Sequence, residues 1–451
     1  MLPTEVLQSR LLERLYALDH EIPDQSFVLI WTYFDKIGLG HTENEVRRLF
    51  KHPRNLPAYR PTEPWPGSHE AFLADLAALA GTQYDLLALR WLITLDQRLN
   101  GASADRFPDL FWPGLDDNGY KIRKRNNYIS SYSVEARQGH SLAAYTPFHK
   151  AVPVEPVKGI SIDSRAQDNW GETHRAQGNW GETHLHRRLL AERRRLQMML
   201  WPLQTVLDYP ALDALRLPEP PKCVRLDQVR NEPALRTEVL QALETAAAKK
   251  VTMLILPELA IPSQTEAEIR RVLASHGKNR HPILTLFGCC HSPSGAGGRD
   301  VNEAVLLGPD GAVLHRHRKL TNFNDGITVG EDVLTGDVLT VLESPLGNLT
   351  PLICLDLINS PLSEIIRLSH ANLLAVPSLS PETLAHRNAA KSFQVSNQAS
   401  TFVCNRWLTR PGSPEEEEKL TSFYQLAKKD GYRSHLPRPK DADFLLFSLS
   451  G

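Results

Sequence analysis

The sequence lacks a long apolar run, a basic N-terminal segment leading into an apolar stretch, and an excess of charge of either sign. No run of about 18 apolar residues occurs, so we expect no membrane-spanning helix. The first residues, MLPTEV, do not resemble a secretory signal, and we expect a cytoplasmic protein. With 51 Lys and Arg against 52 Asp and Glu, the overall charge indicates neither nucleic acid nor an anionic membrane as a partner.

Cysteine is also scarce. The five cysteines are Cys223, Cys289, Cys290, Cys354 and Cys404. None belongs to a C-x-x-C pair, which excludes the usual zinc and thioredoxin-type motifs. An odd number without regular spacing fits a reducing compartment, where most would be small core residues. It remains open at this point whether one of them is a nucleophile.

The length of 451 residues allows two or three domains, with 41% hydrophobic and 23% charged residues as in a soluble globular protein. Leucines repeat on one helical face after Thr4, and two later helical patterns end at Gly81 and Gly101, which are plausible C-cap glycines. Residues 101–165 indicate loops and short strands. We therefore predict a mainly helical N-terminal domain of unknown role over residues 1–160.

A ten-residue tandem repeat follows, with RAQDNWGETH at 165–174 and RAQGNWGETH at 175–184. Two copies are too few for a solenoid, and a tolerated surface duplication is the simplest interpretation. A metal site is the alternative, and its ligands would be His174, His184, His186, Glu172 and Glu182. Residues 185–208 indicate a basic helix of the kind that usually faces solvent. We interpret residues 161–220 as a repeat-containing basic helical linker.

From residue 221 the pattern changes to short apolar runs that alternate with amphipathic segments. The runs at 251–256 and 282–289 suit buried strands, and the PDG turn at 309–311 predicts a hairpin. Strands that alternate with helices and hairpins predict a layered α/β fold over residues 221–451.

Three polar residues stand at or just beyond the ends of predicted strands, namely Glu258, Lys319 and Cys354. Because the carboxyl ends of strands line the ligand crevice in open α/β sheets, we expect these side chains to lie together. A thiol nucleophile needs a base, and acyl transfer needs a positive group for the oxyanion. Taken singly, each residue has a more ordinary explanation. Glu258 would be a surface carboxylate, Lys319 a solvated lysine and Cys354 a core cysteine.

The surrounding sequences resemble the nitrilase, or carbon–nitrogen hydrolase, superfamily. The segments LILPEL (254–259), NEAVLLGPDG (302–311) followed by HRKL (317–320), and PLICLD (351–356) are similar to its ordered motifs. The resemblance implies that Glu258 is the base, that Lys319 steadies the oxyanion and that Cys354 is the nucleophile. It also places Glu331 at the family's second glutamate, which helps to position the substrate and the lysine.

The resemblance runs from Lys222 to about Trp407 and implies a nitrilase-like α-β-β-α sandwich that needs no metal and no organic cofactor. Leu355 stands where the family commonly has Tyr or Trp, which favours amides over nitriles as substrates. Ile358 replaces a usual arginine, and residues 393–397 depart from the helix on which subunits usually pack.

We therefore predict a cysteine-dependent hydrolase of a non-peptide C–N bond in a small amide-like or ureido substrate, acting through a thioester and releasing ammonia or an amine. An inactive nitrilase-fold binding or regulatory module is the alternative.

Acyl transfer to a lipoprotein and glutamine-fed NAD synthesis fit less well, because the sequence has no predicted membrane helix and no Gly-rich phosphate loop. Further expectations are a homo-oligomer and a regulatory partner of the N-terminal region, for example in a bacterial defence effector.

Overall fold

The structure of the 451-residue chain is a computed structural model. It describes residues 3–18, 23–37, 68–101, 112–124 except 116–117, 149–153, 159–165, 185–192 except 186 and 190, 196–216, 223–276, 280–294, 298–323, 330–406 except 345, 370 and 398, 408, 413, 421–426 and 444–448. The chain forms two compact units, one of residues 1–127, 131–162 and 395–398, and the other of residues 128–130, 163–394 and 399–451. The tandem repeat lies outside the described residues, apart from Arg165.

In the described residues of the first unit there are four helices and a small antiparallel sheet. They are α1 (Thr4–Tyr16), α2 (Pro23–Ile37), α3 (His69–Ala77), α4 (Gly81–Gly101), β1 (Trp112–Pro113), β2 (Gly119–Lys124) and β3 (His149–Pro153). Its core is rich in aromatic side chains, and the rings of Phe72 and Trp91 stack with their centroids 4.8 Å apart. The predicted helical N-terminal region is thus confirmed. None of the described helices is long and apolar enough to cross a bilayer.

Helix α2 lies within the region that was predicted to be mainly helical, although its bounds were not predicted. Residues 27–34 are almost all apolar, and every one of them is buried. Its central turns therefore contribute to the core of the first unit.

The second unit is built on two six-stranded sheets. Its strands are β4 (Ser161–Arg165), β5 (Gln197–Leu200), β6 (Met253–Ile255), β7 (Leu284–Gly288), β8 (Ser292–Pro293), β9 (Asp300–Val301), β10 (Glu303–Leu307), β11 (Val313–Arg318), β12 (Val338–Ser344), β13 (Gly347–Pro351), β14 (Leu373–Leu379), β15 (Ser400–Arg406), β16 (Phe423–Gln425) and β17 (Leu445–Ser448). Its helices are α5 (Glu232–Ala248), α6 (Ser263–His276), α7 (Leu355–Ile358), α8 (Ser360–Ser369) and α9 (Leu384–Asn397), with a 3₁₀ helix at Pro210–Arg216. The strand orders are β11-β10-β7-β6-β5-β17 and β16-β15-β14-β13-β12-β4.

Alternate side chains of these strands contribute to two separate buried cores. On β7, Leu284 and Leu286 belong to a core that also contains residues of the other sheet, such as Leu373 and Phe402. Phe287, on the opposite face of β7, packs with α5 and α6 in a second core. Because successive strand residues point to opposite faces, one sheet contributes to both cores. Helix α8 packs against β12, so the fold is the predicted α-β-β-α sandwich.

The position of β5 corrects the predicted organisation of the chain. Residues 197–200 pair in parallel with β6 and antiparallel with β17, so this part of the predicted linker 161–220 lies inside the sheet. A basic helix was predicted over residues 185–208, and this prediction is wrong for residues 197–200, which form a strand. A four-residue run is too short to show a strand period, and the preceding arginines extended the helical pattern.

Replacing Leu200 by alanine tests whether β5 belongs to the folded unit. Leu200 is 1% exposed in the core between the sheets, so Leu200→Ala should lower the free energy of unfolding by about 2–5 kcal/mol. The matched change Leu384→Ala, at a leucine that is 62% exposed, should cost less than about 0.5 kcal/mol. Urea-dependent hydrogen exchange of peptides from β5 and β6 measures both. Equal protection in the two variants would show that β5 is dispensable to the sheet.

Candidate active site

The candidate site lies where β6, β11 and β13 end. Glu258 follows β6 after Leu256 and Pro257, Lys319 directly follows β11, and Cys354 is the third residue after β13. The backbone of Glu258 passes close to β7 at Gly288, where an added Cβ would lie 2.4 Å from the Glu258 Cα. Only glycine permits this approach, which holds the end of β6 against its neighbouring strand.

A buried lysine joins two buried carboxylates at this place. Lys319 Nζ lies 2.8 Å from Glu258 Oε1 and 2.5 Å from Glu331 Oε2, and all three side chains are at most 6% exposed. Asn302 Nδ2 donates to Glu258 Oε1 at 3.0 Å and to Glu331 Oε1 at 2.9 Å. The second oxygen of Glu258 accepts the Leu379 amide at 3.0 Å. The predicted residues Glu258, Lys319 and Glu331 therefore form one hydrogen-bonded cluster.

Glu331 is held from a further side by His291. The Leu226 amide donates to His291 Nδ1 at 3.0 Å, which leaves the ring proton on Nε2. That nitrogen lies 3.2 Å from Glu331 Oε1, so the imidazole donates to the carboxylate. The Phe323 amide donates to the other oxygen at 3.1 Å. With four kinds of donor around it, Glu331 is fixed as a carboxylate.

The pKa values follow from burial and from this pairing. Burial raises the pKa of Glu331, but Lys319 and His291 outweigh it and lower that pKa to about 2. Burial also raises the pKa of Glu258, and here it outweighs the opposing effect of Lys319. For Lys319, burial lowers the pKa, and the two carboxylates reverse this and leave it raised. The lysine is consequently an ammonium held between two acidic groups.

Cys354 stands at a strained turn between β13 and α7. Its φ of +43° and ψ of −101° lie outside the conformations that ordinary residues prefer. The turn is anchored by Asp356, which accepts the Ile353 amide on Oδ2 and the Leu320 and Thr321 amides on Oδ1, at 3.0–3.1 Å. These bonds tie the segment around Cys354 to the segment around Lys319.

The thiol of Cys354 is buried beside the charged cluster. Burial raises its pKa, Glu258 raises it further by repulsion of the thiolate, and Lys319 acts in the opposite direction. The thiol is therefore protonated at neutral pH in the resting site. His386 Nε2 lies 3.8 Å from Sγ, and hydrogen bonds with the Ser378 side chain and the Leu379 backbone lower the pKa of the thiol. The structure thus brings all four predicted site residues together and adds His386.

Three residues of this site were not predicted, namely Asn302, His291 and His386. Asn302 stands first in the segment NEAVLLGPDG, whose resemblance to the family motif was noted without a role for the asparagine. His291 follows the pair Cys289–Cys290 at the end of β7, and His386 lies near the start of α9. A polar residue just past a buried strand was the available signal for His291, and no local signal marked His386.

A two-sheet sandwich with this buried Glu–Lys–Glu cluster beside a cysteine has the architecture expected of a carbon–nitrogen hydrolase. Residues 223–425 match the model of the carbon–nitrogen hydrolase family. The match covers the C-terminal part of the chain, where the sequence motifs resemble the nitrilase superfamily. A comparison with curated proteins found no match.

Several solved structures are similar to part of the chain. One is the NitFhit protein of C. elegans, with a TM-score of 0.40 and 17% identity over 57% of this chain and 61% of that one. Others are an amidase from Nesterenkonia sp. (TM-score 0.34, 16% identity, 52% of this chain and 82% of that one) and a mutant of the Nesterenkonia sp. AN1 amidase. The mutant carries the acetamide moiety of fluoroacetamide on its active-site cysteine, with a TM-score of 0.35, 16% identity and the same coverage. The chain spans less than two thirds of NitFhit.

Removing the buried ammonium tests the charge balance of the cluster. Lys319→Met leaves two buried carboxylates without their cation and should cost about 3–5 kcal/mol of unfolding free energy at pH 7. The loss should shrink as the pH falls towards about 5, because the carboxyl pKa values rise in the variant and proton uptake then favours its folded state. In wild type, the lowered pKa of Glu331 contributes stability that is lost only as the pH falls from about 4.3 towards 2, below the two pH values compared.

The measurement is urea-dependent hydrogen exchange of peptides from β7 and β10 at pH 7 and pH 5. Lys391→Met, at an exposed lysine on α9, is the matched control and should change stability by less than about 0.5 kcal/mol at either pH. A loss in Lys319→Met that is the same at both pH values would contradict the proposed charge balance.

Proposed function

We propose that the second unit is a thiol hydrolase that cleaves the C–N bond of a small amide-like or ureido substrate. Cys354 Sγ attacks the carbonyl carbon, the C–N bond breaks, and ammonia or an amine leaves. Water then attacks the thioester, releases the acid and returns the thiol. The observation that carries this proposal is the buried ammonium of Lys319 between two carboxylates, next to a thiol at a strand end.

In this mechanism Glu258 is the base. The cluster of Glu258, Glu331 and Lys319 carries a net charge of −1, so a thiolate formed at rest would add a second uncompensated negative charge. We therefore assign proton transfer from Sγ to Glu258 to the moment of attack on the substrate. The raised pKa of Glu258 suits this role, because the protonated carboxyl can then give the proton to the leaving nitrogen.

Lys319 is assigned to the oxyanion. An ammonium has three N–H donors, and Glu258 and Glu331 accept two of them. Among the described residues the third N–H has no acceptor and is left for a substrate oxygen. The amide of Leu355, next to the nucleophile, also has no acceptor among the described residues and is the second donor in this proposal. One such donor typically contributes about 2.7–4 kcal/mol to catalysis.

Substitution of the nucleophile and the base tests the proposal. Ammonia release should be screened with aliphatic amides, ω-amides, ureido acids and nitriles. Cys354→Ala should abolish turnover of any substrate found, and Glu258→Gln should reduce kcat/KM by about 10²–10⁴-fold. The control variants Cys223→Ala, at an exposed cysteine, and Glu268→Gln, in an i,i+3 ion pair on α6, should keep wild-type turnover.

Two results would overturn the hydrolase proposal. One is turnover that survives in Cys354→Ala. The other is a wild-type chain that releases no ammonia from any of these substrates and whose Cys354 is not modified by an electrophilic amide analogue. The second result would favour the inactive binding module.

We further propose that the N-terminal unit controls the hydrolase, for example in bacterial defence. This rests on the order of the units and on the separate buried core of the first unit. Trp31→Ala, at a core tryptophan that is 1% exposed, should change kcat/KM of the full chain, whereas Val6→Ala, at a residue that is 47% exposed, should not. Identical kinetics in both variants and the wild type would remove the proposed control.

A further inference from the structure

His386 is a buried imidazole in direct contact with the proposed nucleophile. It lies in the first turn of α9 and is 1% exposed. Its Nε2 lies 3.8 Å from Cys354 Sγ, within hydrogen-bonding distance for sulfur. Its Nδ1 has no hydrogen-bond partner among the described residues. The ring is therefore held by packing and by Cys354, and no carboxylate of the described residues orients it in the manner of a Cys–His–Asp triad.

The charge state of this imidazole limits what it can do. Burial lowers the pKa of His386 to about 4, and a hydrogen bond from the ring to the backbone of Cys354 acts in the opposite direction. Because Nδ1 has no partner among the described residues, Nε2 is shared between this backbone and Sγ. The ring is thus neutral at pH 7 and holds one proton. A group with so low a pKa is a poor base for a thiol, whose own pKa is raised here, so His386 does not compete with Glu258 for the thiol proton.

His386 adds a neutral donor to those already beside the thiolate, because hydrogen bonds with the Ser378 side chain and the Leu379 backbone also lower the pKa of Cys354. Glu258, at the end of β6, and Glu331 repel the thiolate, and Lys319, at the end of β11, is already shared between them. Hydrogen bonding to the charged form of a group favours that form. An N–H from His386 therefore stabilises the thiolate without adding a positive charge that would pair with Glu258.

We propose that His386 is a further catalytic residue, which donates a hydrogen bond from Nε2–H to Cys354 Sγ as Glu258 removes the thiol proton. The proton passes from Sγ to the Glu258 carboxylate, the sulfur retains the electron pair that attacks the substrate carbon, and His386 keeps its own proton throughout. This inference rests on the proposed hydrolase function and adds a thiolate donor to it.

Alkylation of the thiol tests this role without any substrate. Full-length protein is treated with iodoacetamide across a pH series, and carbamidomethylation of the Cys354 peptide is followed by mass spectrometry. His386→Leu removes the donor and retains bulk, and His386→Gln places an amide N–H at a similar reach. His281→Gln is the control, because His281 contacts the Val251 carbonyl and lies outside the site.

At a fixed pH, His386→Leu should label Cys354 about 10- to 100-fold more slowly than wild type, because a hydrogen bond to a charged group shifts a pKa by about one to two units. His386→Gln should recover most of this loss, and His281→Gln should label at the wild-type rate. A purely structural role would not produce recovery in the glutamine variant together with a profile displaced along the pH axis.

The outcomes separate this inference from the proposed function. Wild-type labelling that depends on Glu258 but is unchanged in His386→Leu overturns the role of His386 and leaves the hydrolase in place. Labelling in His386→Gln that is as slow as in His386→Leu also overturns it. Absence of Cys354 labelling at every pH in folded wild-type protein overturns the role of His386, and together with the absence of ammonia release it also overturns the hydrolase.

Discussion

The buried ammonium of Lys319 is the interaction on which the rest of the site depends. A charge removed from water is very costly unless partners of opposite sign and hydrogen-bond acceptors surround it. Lys319 has both in Glu258 and Glu331, and Asn302 joins the two carboxylates from the other side. Because these partners come from separate strand ends, the cluster exists only when β6, β7, β10 and β11 have their observed order.

Asp356 extends this dependence to the second sheet. It belongs to the segment that follows β13, yet it accepts the amides of Leu320 and Thr321, which follow β11 in the first sheet. It is fully buried and also contacts His317 Nε2 at 3.2 Å. One carboxylate therefore fixes the position of Cys354 relative to Lys319 across the two sheets. A nucleophile and an oxyanion donor on different sheets need such a link if they are to act on one carbonyl group.

Short apolar runs with clear turn signals allowed the layered fold to be predicted and placed Glu258, Lys319 and Cys354 at strand ends. Their roles, and the choice of Glu331, were implied by the resemblance to the nitrilase superfamily. The partners of those residues could not be found in this way. Asn302, His291 and His386 contact residues 44, 40 and 32 positions away, so their roles follow from the fold and not from local pattern. Strand β5 was missed because a run of four residues shows no period.

The most direct test of the central claim is a crystal structure of the full chain after reaction of Cys354 with a haloacetamide. The proposed site predicts a thioether on Cys354 Sγ whose carbonyl oxygen lies within about 3 Å of Lys319 Nζ, with that nitrogen still bound to both Glu258 and Glu331. An adduct oxygen that points away from Lys319, or a lysine that is not held between the two carboxylates, would contradict it.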